Sequence, residues 1–99
     1  MEYFNSLTPA ELERLSLLLE ELGEAQQAIG KILRHGYESY HPDFPNISNR
    51  EHLEKELGHI RNAQKLMVDT RDISWGNINY YQGHKQIRIH KFLHHQETK

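Results

Sequence analysis

The sequence contains no cysteine, which excludes a disulfide framework and any thiolate metal site and is compatible with a reducing compartment. It has no surplus of one charge: 12 basic residues stand against 14 acidic ones, so the basic footprint of a nucleic-acid binder is missing. No stretch approaches the roughly 18 apolar residues of a membrane span. The opening "MEYFNSLTPAELERL" has no basic segment leading into an apolar run and does not read as a signal peptide. No segment alternates with the period of two that a strand needs, and there is no internal repeat. These absences point to a soluble, cytoplasmic chain that partners neither nucleic acid nor membrane. At 99 residues it forms one domain at most. A chain of that size buries only about two thirds of its unfolded surface, so a thin core or oligomerisation is expected.

What is present is helical periodicity, in three segments. Thr8-Pro9-Ala10-Glu11 reads as an N-cap, a proline at the first helical position and a glutamate closing a capping box. Leucines, alanine and isoleucines from Leu12 to Leu33 keep helical spacing up to Gly36, a C-terminal stop. "YESYHPDFPNISN", residues 37–49, is a loop with two prolines, aromatic enough to pack. A second capping box, Ser48-Asn49-Arg50-Glu51, opens a helix carrying Leu53, Leu57, Ile60, Ala63, Leu66 and Met67 on one side. "VDTRDISWG" breaks that pattern. A third helix is expected from about Asn77 to His94, with Ile78, Tyr81, Ile89 and Phe92 as its stripe, although Gly83 weakens it. The tail "HHQETK" is expected to fray.

Carboxylates interrupt this scheme. The apolar stripe of the first helix centres on Leu22 and Ile29, yet Glu21 falls between Leu17, Ala28 and Ile32 inside a widened apolar arc. Glu24 sits at the rim of that arc, while Glu20 points further toward solvent. On the second helix Glu56 projects between Ile60 and Ala63, and His59 between Ala63 and Leu66. Each helix thus offers an i, i+3 pair of metal-competent side chains from its apolar face. If the helices pack together, three carboxylates and an imidazole converge, and like charges in a low dielectric cannot all stay ionised without a cation. A hard divalent ion, Mg²⁺ or Mn²⁺, resolves the conflict. A lone Glu-x-x-Glu is ordinarily a solvated surface pair, and His59 reads equally as a core histidine bonded to a carbonyl. Two such pairs displaced onto apolar arcs are what turn the reading toward metal.

Glu20-Glu21-x-x-Glu24, followed after 31 residues by Glu56-x-x-His59, resembles the paired helical motifs of the MazG-like, all-α nucleoside triphosphate pyrophosphohydrolases. "EELGEAQQAIGKILRHG" and "NREHLEKELGHI" look like the small phage-encoded branch, and the likeness covers residues from about 12 to 72. The resemblance implies hydrolysis of a (d)NTP between the α- and β-phosphates to (d)NMP and pyrophosphate, in the host cytoplasm if the protein is phage-encoded. It implies Glu21, Glu24 and Glu56 as ligands of Mg²⁺, with Glu20 as a further ligand or as the base orienting water, and Glu21 shared between metal binding and catalysis. His59 departs from the family's aspartate. Imidazole suits Mn²⁺ better than Mg²⁺, so His59 is expected to be an altered fourth ligand; the other readings are a bond to a ligand carboxylate, a phosphate contact, or lost activity, which would leave a module that sequesters nucleotide or engages a protein.

A triphosphate also needs cations. Lys31 and Arg34 follow the first motif and read either as phosphate contacts or as the usual basic end of a helix. Asn49 and Arg50 resemble the family's stretch before the second helix and read as phosphate contacts or as caps. Asn62 continues the ligand face beyond His59. Lys85 lies mid-stripe and either snorkels past the core edge or reaches a phosphate at a subunit boundary. Tyr37, Tyr40, His41 and Phe44 read as packing, with base stacking the alternative. His84, His90, His94 and His95 lack an acidic partner and read as a polar tail rather than a zinc site. The expectation is therefore an all-α, single-domain enzyme of three main helices whose bundle is completed as a homodimer or homotetramer.

Overall fold

Thr8 sets the first helix. Its hydroxyl accepts from the Glu11 N–H at 3.1 Å, and the Glu11 carboxylate accepts from the Thr8 N–H at 2.9 Å, so two of the N–H groups that a helix start leaves unpaired are satisfied together. In the computed structural model, which describes residues 5–96, this cap launches α1 (Pro9–His35). α1 stops at Gly36, whose φ of +86° and ψ of 167° belong to a region that is essentially reserved for glycine. Ser48 caps α2 (Asn49–Asp69) by accepting from Glu51 N–H, but Glu51 does not return the bond, so only half of the expected capping box forms.

The third helix differs from expectation at both ends. Ser74 accepts from Asn77 N–H and caps α3 (Trp75–Arg88), which therefore starts earlier than Asn77. The α-helix ends at Arg88, and the chain tightens into a 3₁₀ turn over Ile89–Phe92, as helix ends with little packing to hold them commonly do. His90 and His94 accordingly share no α-helical face. The last part of the tail expected to fray, residues 97–99, lies outside the described residues, as do residues 1–4 of the opening segment.

α1 and α2 form an antiparallel hairpin clamped at both ends. At the loop end, Asn49 Nδ2 donates to Gly36 O at 3.1 Å. Asn49 and Arg50 N–H groups donate to Ser39 O and Tyr37 O, and Tyr40 makes an isolated antiparallel bridge with Ser48. At the open end, Arg14 grips Asp72 through two hydrogen bonds of 2.6 and 3.0 Å.

Between the clamps runs a seam of seven-residue spacing: Arg14, Glu21 and Ala28 on α1, with Asn49, Glu56 and Ala63 on α2. Such a repeat keeps one line of each helix facing its neighbour. Among the described residues, Ala25, Ala28, Ala63 and Met67 are the buried apolar ones, and the three alanines allow close helix approach. The seam lies roughly a quarter turn away from the apolar stripe centred on Leu22 and Ile29. That stripe does not face α2. Leu15, Leu19, Leu22, Ile29 and Leu33 are exposed, Leu19 at 72% and Leu33 at 82%.

α3 buries none of its residues and packs chiefly against the 3₁₀ turn that follows it. The consequence is an open shape. The radius of gyration is 17.2 Å, against about 13 Å for an ordinary 100-residue domain. The single chain exposes 8435 Å², whereas a folded monomer of 11.8 kDa exposes about 5,900 Å².

Candidate metal centre

One helical turn separates Glu21 from Glu24, and one turn separates Glu56 from His59. The antiparallel crossing of α1 and α2 turns these two local pairs into one cluster, in which a ligand atom from each of the four residues lies within 4.8 Å of the others. Glu56 is the deepest, 2% exposed on the central line of the α2 seam. Glu21 and Glu24 are half-buried, and the rim position expected for Glu24 agrees with this. His59 is shallower than its expected place in the buried arc. It sits on the shoulder of the seam with 48% of its side chain exposed, because it is rotated about 60° from Glu56 around the α2 axis.

The carboxylates are poorly satisfied. Glu21 Oε2 and Glu56 Oε2 are both buried without a hydrogen-bond partner. His59 Nδ1 approaches them at 3.0 and 3.5 Å, close enough for ion-pair contact if protonated but without hydrogen-bond alignment. His52, on the other side of Glu56, brings Nε2 to 3.6 Å from Glu56 Oε1. Two carboxylates less than 4.8 Å apart repel by roughly 3 kcal/mol at an effective dielectric near 20. An oxygen left unpaired in the interior costs about 1–3 kcal/mol more. A bound cation relieves both. Three hard oxygen donors with one imidazole fit Mg²⁺ through the carboxylates and Mn²⁺ through all four groups.

The other expected residues distribute unevenly. Glu20 is exposed and is not one of the cluster's four members. Lys31 and Arg34 line a hollow of about 570 Å³ near the loop end of the hairpin, and Asn49 lines it too while holding the Gly36 carbonyl. Arg50 is engaged within the protein: it pairs with Glu38 at 2.7 Å, and its guanidinium lies 4.4 Å from the Tyr37 ring centre. The Glu38 carboxylate, mainly by hydrogen bonding, raises the Arg50 pKa further above its ordinary value. Asn62 is exposed one turn beyond His59. Lys85 lies on α3, 6.0 Å from the Phe92 ring centre, and within one chain is not among the residues gathered around the carboxylates.

Two features escaped the sequence reading. His52 stands four residues before Glu56 and seven before His59, so its spacing could have placed it on the same ridge. The Arg14–Asp72 clamp joins positions 58 residues apart, and nothing local to either residue announces it. Its hydrogen bonds hold the Asp72 carboxyl below the usual carboxylate range and push the Arg14 guanidinium higher still. Comparison of the chain with protein-family models, with curated proteins and with solved structures returns no match.

Proposed function

We propose that this protein is a divalent-metal-dependent nucleotide pyrophosphohydrolase that cleaves a (d)NTP between its α- and β-phosphates, as its resemblance to the MazG-like family implies. The observation that carries the reading is the pair of buried, partnerless oxygens, Glu21 Oε2 and Glu56 Oε2, gathered with Glu24 and His59. Glu21, Glu24 and Glu56 would hold the metal, with His59 as fourth ligand when the ion is Mn²⁺. The metal supplies charge neutralisation on the phosphates and lowers the pKa of water. Glu20, adjacent to Glu21 in the chain and exposed, would orient that water.

The exposed stripe on α1 supports assembly as a homodimer or homotetramer. The chain leaves about 2,500 Å² more surface open than a monomer of its mass, which is the scale that obligate homo-oligomers bury. Lys85 would reach a phosphate only from such a neighbouring copy.

A second reading is favoured by one specific contact. A protonated His59, 3.0 Å from Glu21 and 3.5 Å from Glu56, can itself provide the positive charge that the carboxylates need. The protein would then be a catalytically impaired, nucleotide-sequestering or protein-binding module. A panel of (d)NTPs assayed for pyrophosphate release in Mg²⁺ and in Mn²⁺ separates the two. The enzyme reading expects turnover that Glu21→Gln abolishes. Turnover unchanged in Glu21→Gln overturns the catalytic assignment, and none in wild type with either ion favours the second reading.

A further inference from the structure

Toward the loop end of the hairpin the acidic cluster gives way to basic side chains on both helices. On α1, Glu24 is followed on the same face by Lys31, and Arg34 lies one turn further. On α2, His59 is preceded on the same ridge by Lys55 and His52. Lys31 lies seven residues of helix, about 10 Å, beyond Glu24 on α1, whereas on α2 the two zones adjoin: Lys55 directly precedes Glu56, and His52 Nε2 lies 3.6 Å from Glu56 Oε1. The basic zone contains two adjoining hollows, of about 570 and 200 Å³, which share Lys31, His41 and Asn49 as walls. Arg34 and Tyr40 line the larger one, and His52, Lys55 and Phe44 the smaller. Together they have the size of a small-molecule site.

The cations there present the converse of the carboxylate problem. Among the described residues, Lys31, Arg34 and Lys55 each make no ion pair. Cations that converge on one cleft without partners repel one another and favour an anion, most strongly one offering several oxygens. The start of α2, with Asn49 and His52 in the walls, brings the positive end of one helix dipole, offset by the negative end of α1, whose last-turn residues Arg34 and His35 line the larger hollow. His41 Nδ1 accepts from the Asp43 N–H at 3.0 Å, which in the neutral ring leaves the proton on Nε2 as a donor.

The cleft also has planar apolar walls. Tyr40 and Phe44 are exposed, and Phe44 packs its ring 5.7 Å from that of His41. The loop carrying them is held in place rather than loose: it is closed at its base by the Tyr40–Ser48 bridge and the Asn49 and Arg50 bonds. A prearranged surface loses less conformational freedom on binding.

We infer that this basic, aromatic-walled cleft is a direct binding site for a nucleoside polyphosphate, with Lys31, Arg34 and Lys55 holding phosphate oxygens and Tyr40 or Phe44 stacking on the base. The nucleotide as ligand rests on the pyrophosphohydrolase reading, whereas the phosphate recognition needs no metal. Of the two roles the sequence leaves open for Lys31 and Arg34, phosphate contact is then the one they fill, and Lys55, His41, Tyr40 and Phe44 join them.

The test is calorimetric titration of the full chain in excess EDTA with pyrophosphate and, separately, with dATP. Both are expected to bind, more weakly as salt rises. Lys31→Gln and Lys55→Gln should each weaken both ligands by roughly tenfold, the effect of losing one charge-assisted hydrogen bond. Tyr40→Ala or Phe44→Ala should weaken dATP and leave pyrophosphate unchanged. Melting curves for each variant establish that it is folded, and the salt dependence of the wild type needs no variant at all. The inference is overturned if wild type binds neither ligand in EDTA, or if the Lys31→Gln, Lys55→Gln double variant keeps wild-type affinity. Loss of turnover in Glu21→Gln with intact EDTA binding supports both proposals. Binding in EDTA without turnover in any metal keeps the cleft and removes the enzyme.

Discussion

Glu56→Gln should reverse the stability ranking of mutant and wild type between metal-free and metal-loaded conditions. Glu56 is 2% exposed, its Oε2 has no hydrogen-bond partner, and the Glu21 and Glu24 carboxylates lie within 4.8 Å. Replacing the charge by a neutral amide of the same shape removes like-charge repulsion of roughly 3 kcal/mol per neighbour at an effective dielectric near 20. Opposing that gain, the amide no longer attracts the imidazoles of His52 and His59, an effect worth about 1–2 kcal/mol for the two together. Glu21 and Glu24 are only half-buried, and solvent screening cuts their combined repulsion to about 3 kcal/mol. In EDTA the variant should therefore be more stable by about 1–2 kcal/mol, a rise in Tm of roughly 4–16 °C for a domain of this size. Saturating metal reverses the logic. At a thousand times Kd, Mn²⁺ stabilises the wild type by about 4.1 kcal/mol. A variant short of one ligand and bound a hundredfold more weakly gains only about 1.4 kcal/mol at the same Mn²⁺ concentration. Scanning calorimetry at pH 7.5 and one fixed protein concentration reads both arms. A wild type unmoved by Mg²⁺ or Mn²⁺, together with a Glu56→Gln protein no more stable than it in EDTA, would refute the strained-carboxylate reasoning.

Other parts of the chain can be tested independently of the metal. Leu19→Glu, on the exposed α1 stripe, should shift the protein to a smaller species in light scattering coupled to size exclusion; an unchanged mass places the subunit contact elsewhere. The clamp between Arg14 and Asp72 gives a signed pH dependence. Because the Asp72 carboxyl is held low in the folded state, its contribution is fully present above an unfolded pKa near 3.9 and is lost as pH falls through the lower folded value. Asp72→Asn should lower Tm at pH 7 and converge with wild type in strong acid, as pH-dependent melting curves will show. Gly36→Ala should cost about 1–3 kcal/mol in denaturant unfolding, because Gly36 holds φ at +86° and ψ at 167°.

Much of the local structure was legible because its causes are local. Thr8 with Glu11, Ser48 and the Gly36 stop each act over three or four residues, and α1 begins and ends, and α2 begins, where those signals stand. Ser74 carried the same N-cap signal and starts α3 earlier than the hydrophobic stripe suggested. The stripe runs past Arg88, but periodicity measures only where a helix would be amphipathic. With nothing buried along α3, the final turn tightens into 3₁₀ geometry instead.

The i, i+3 spacing of Glu21 with Glu24 and of Glu56 with His59 fixes which side chains share a face, and that much is settled by the order of residues alone. Which faces meet depends on how the helices pack. The larger leucine stripe of α1 turns outward, while the alanine-lined arc, with Glu21 in it, turns toward α2. Small side chains let two helices approach closely enough to bury a carboxylate line, whereas the bulkier stripe offers more apolar area than one partner helix can cover. The same antiparallel crossing carries Lys31 and Lys55 into one cleft and Arg14 against Asp72. A wheel drawn for one helix contains no information about the register of its neighbour, so those meetings exist only in the folded chain.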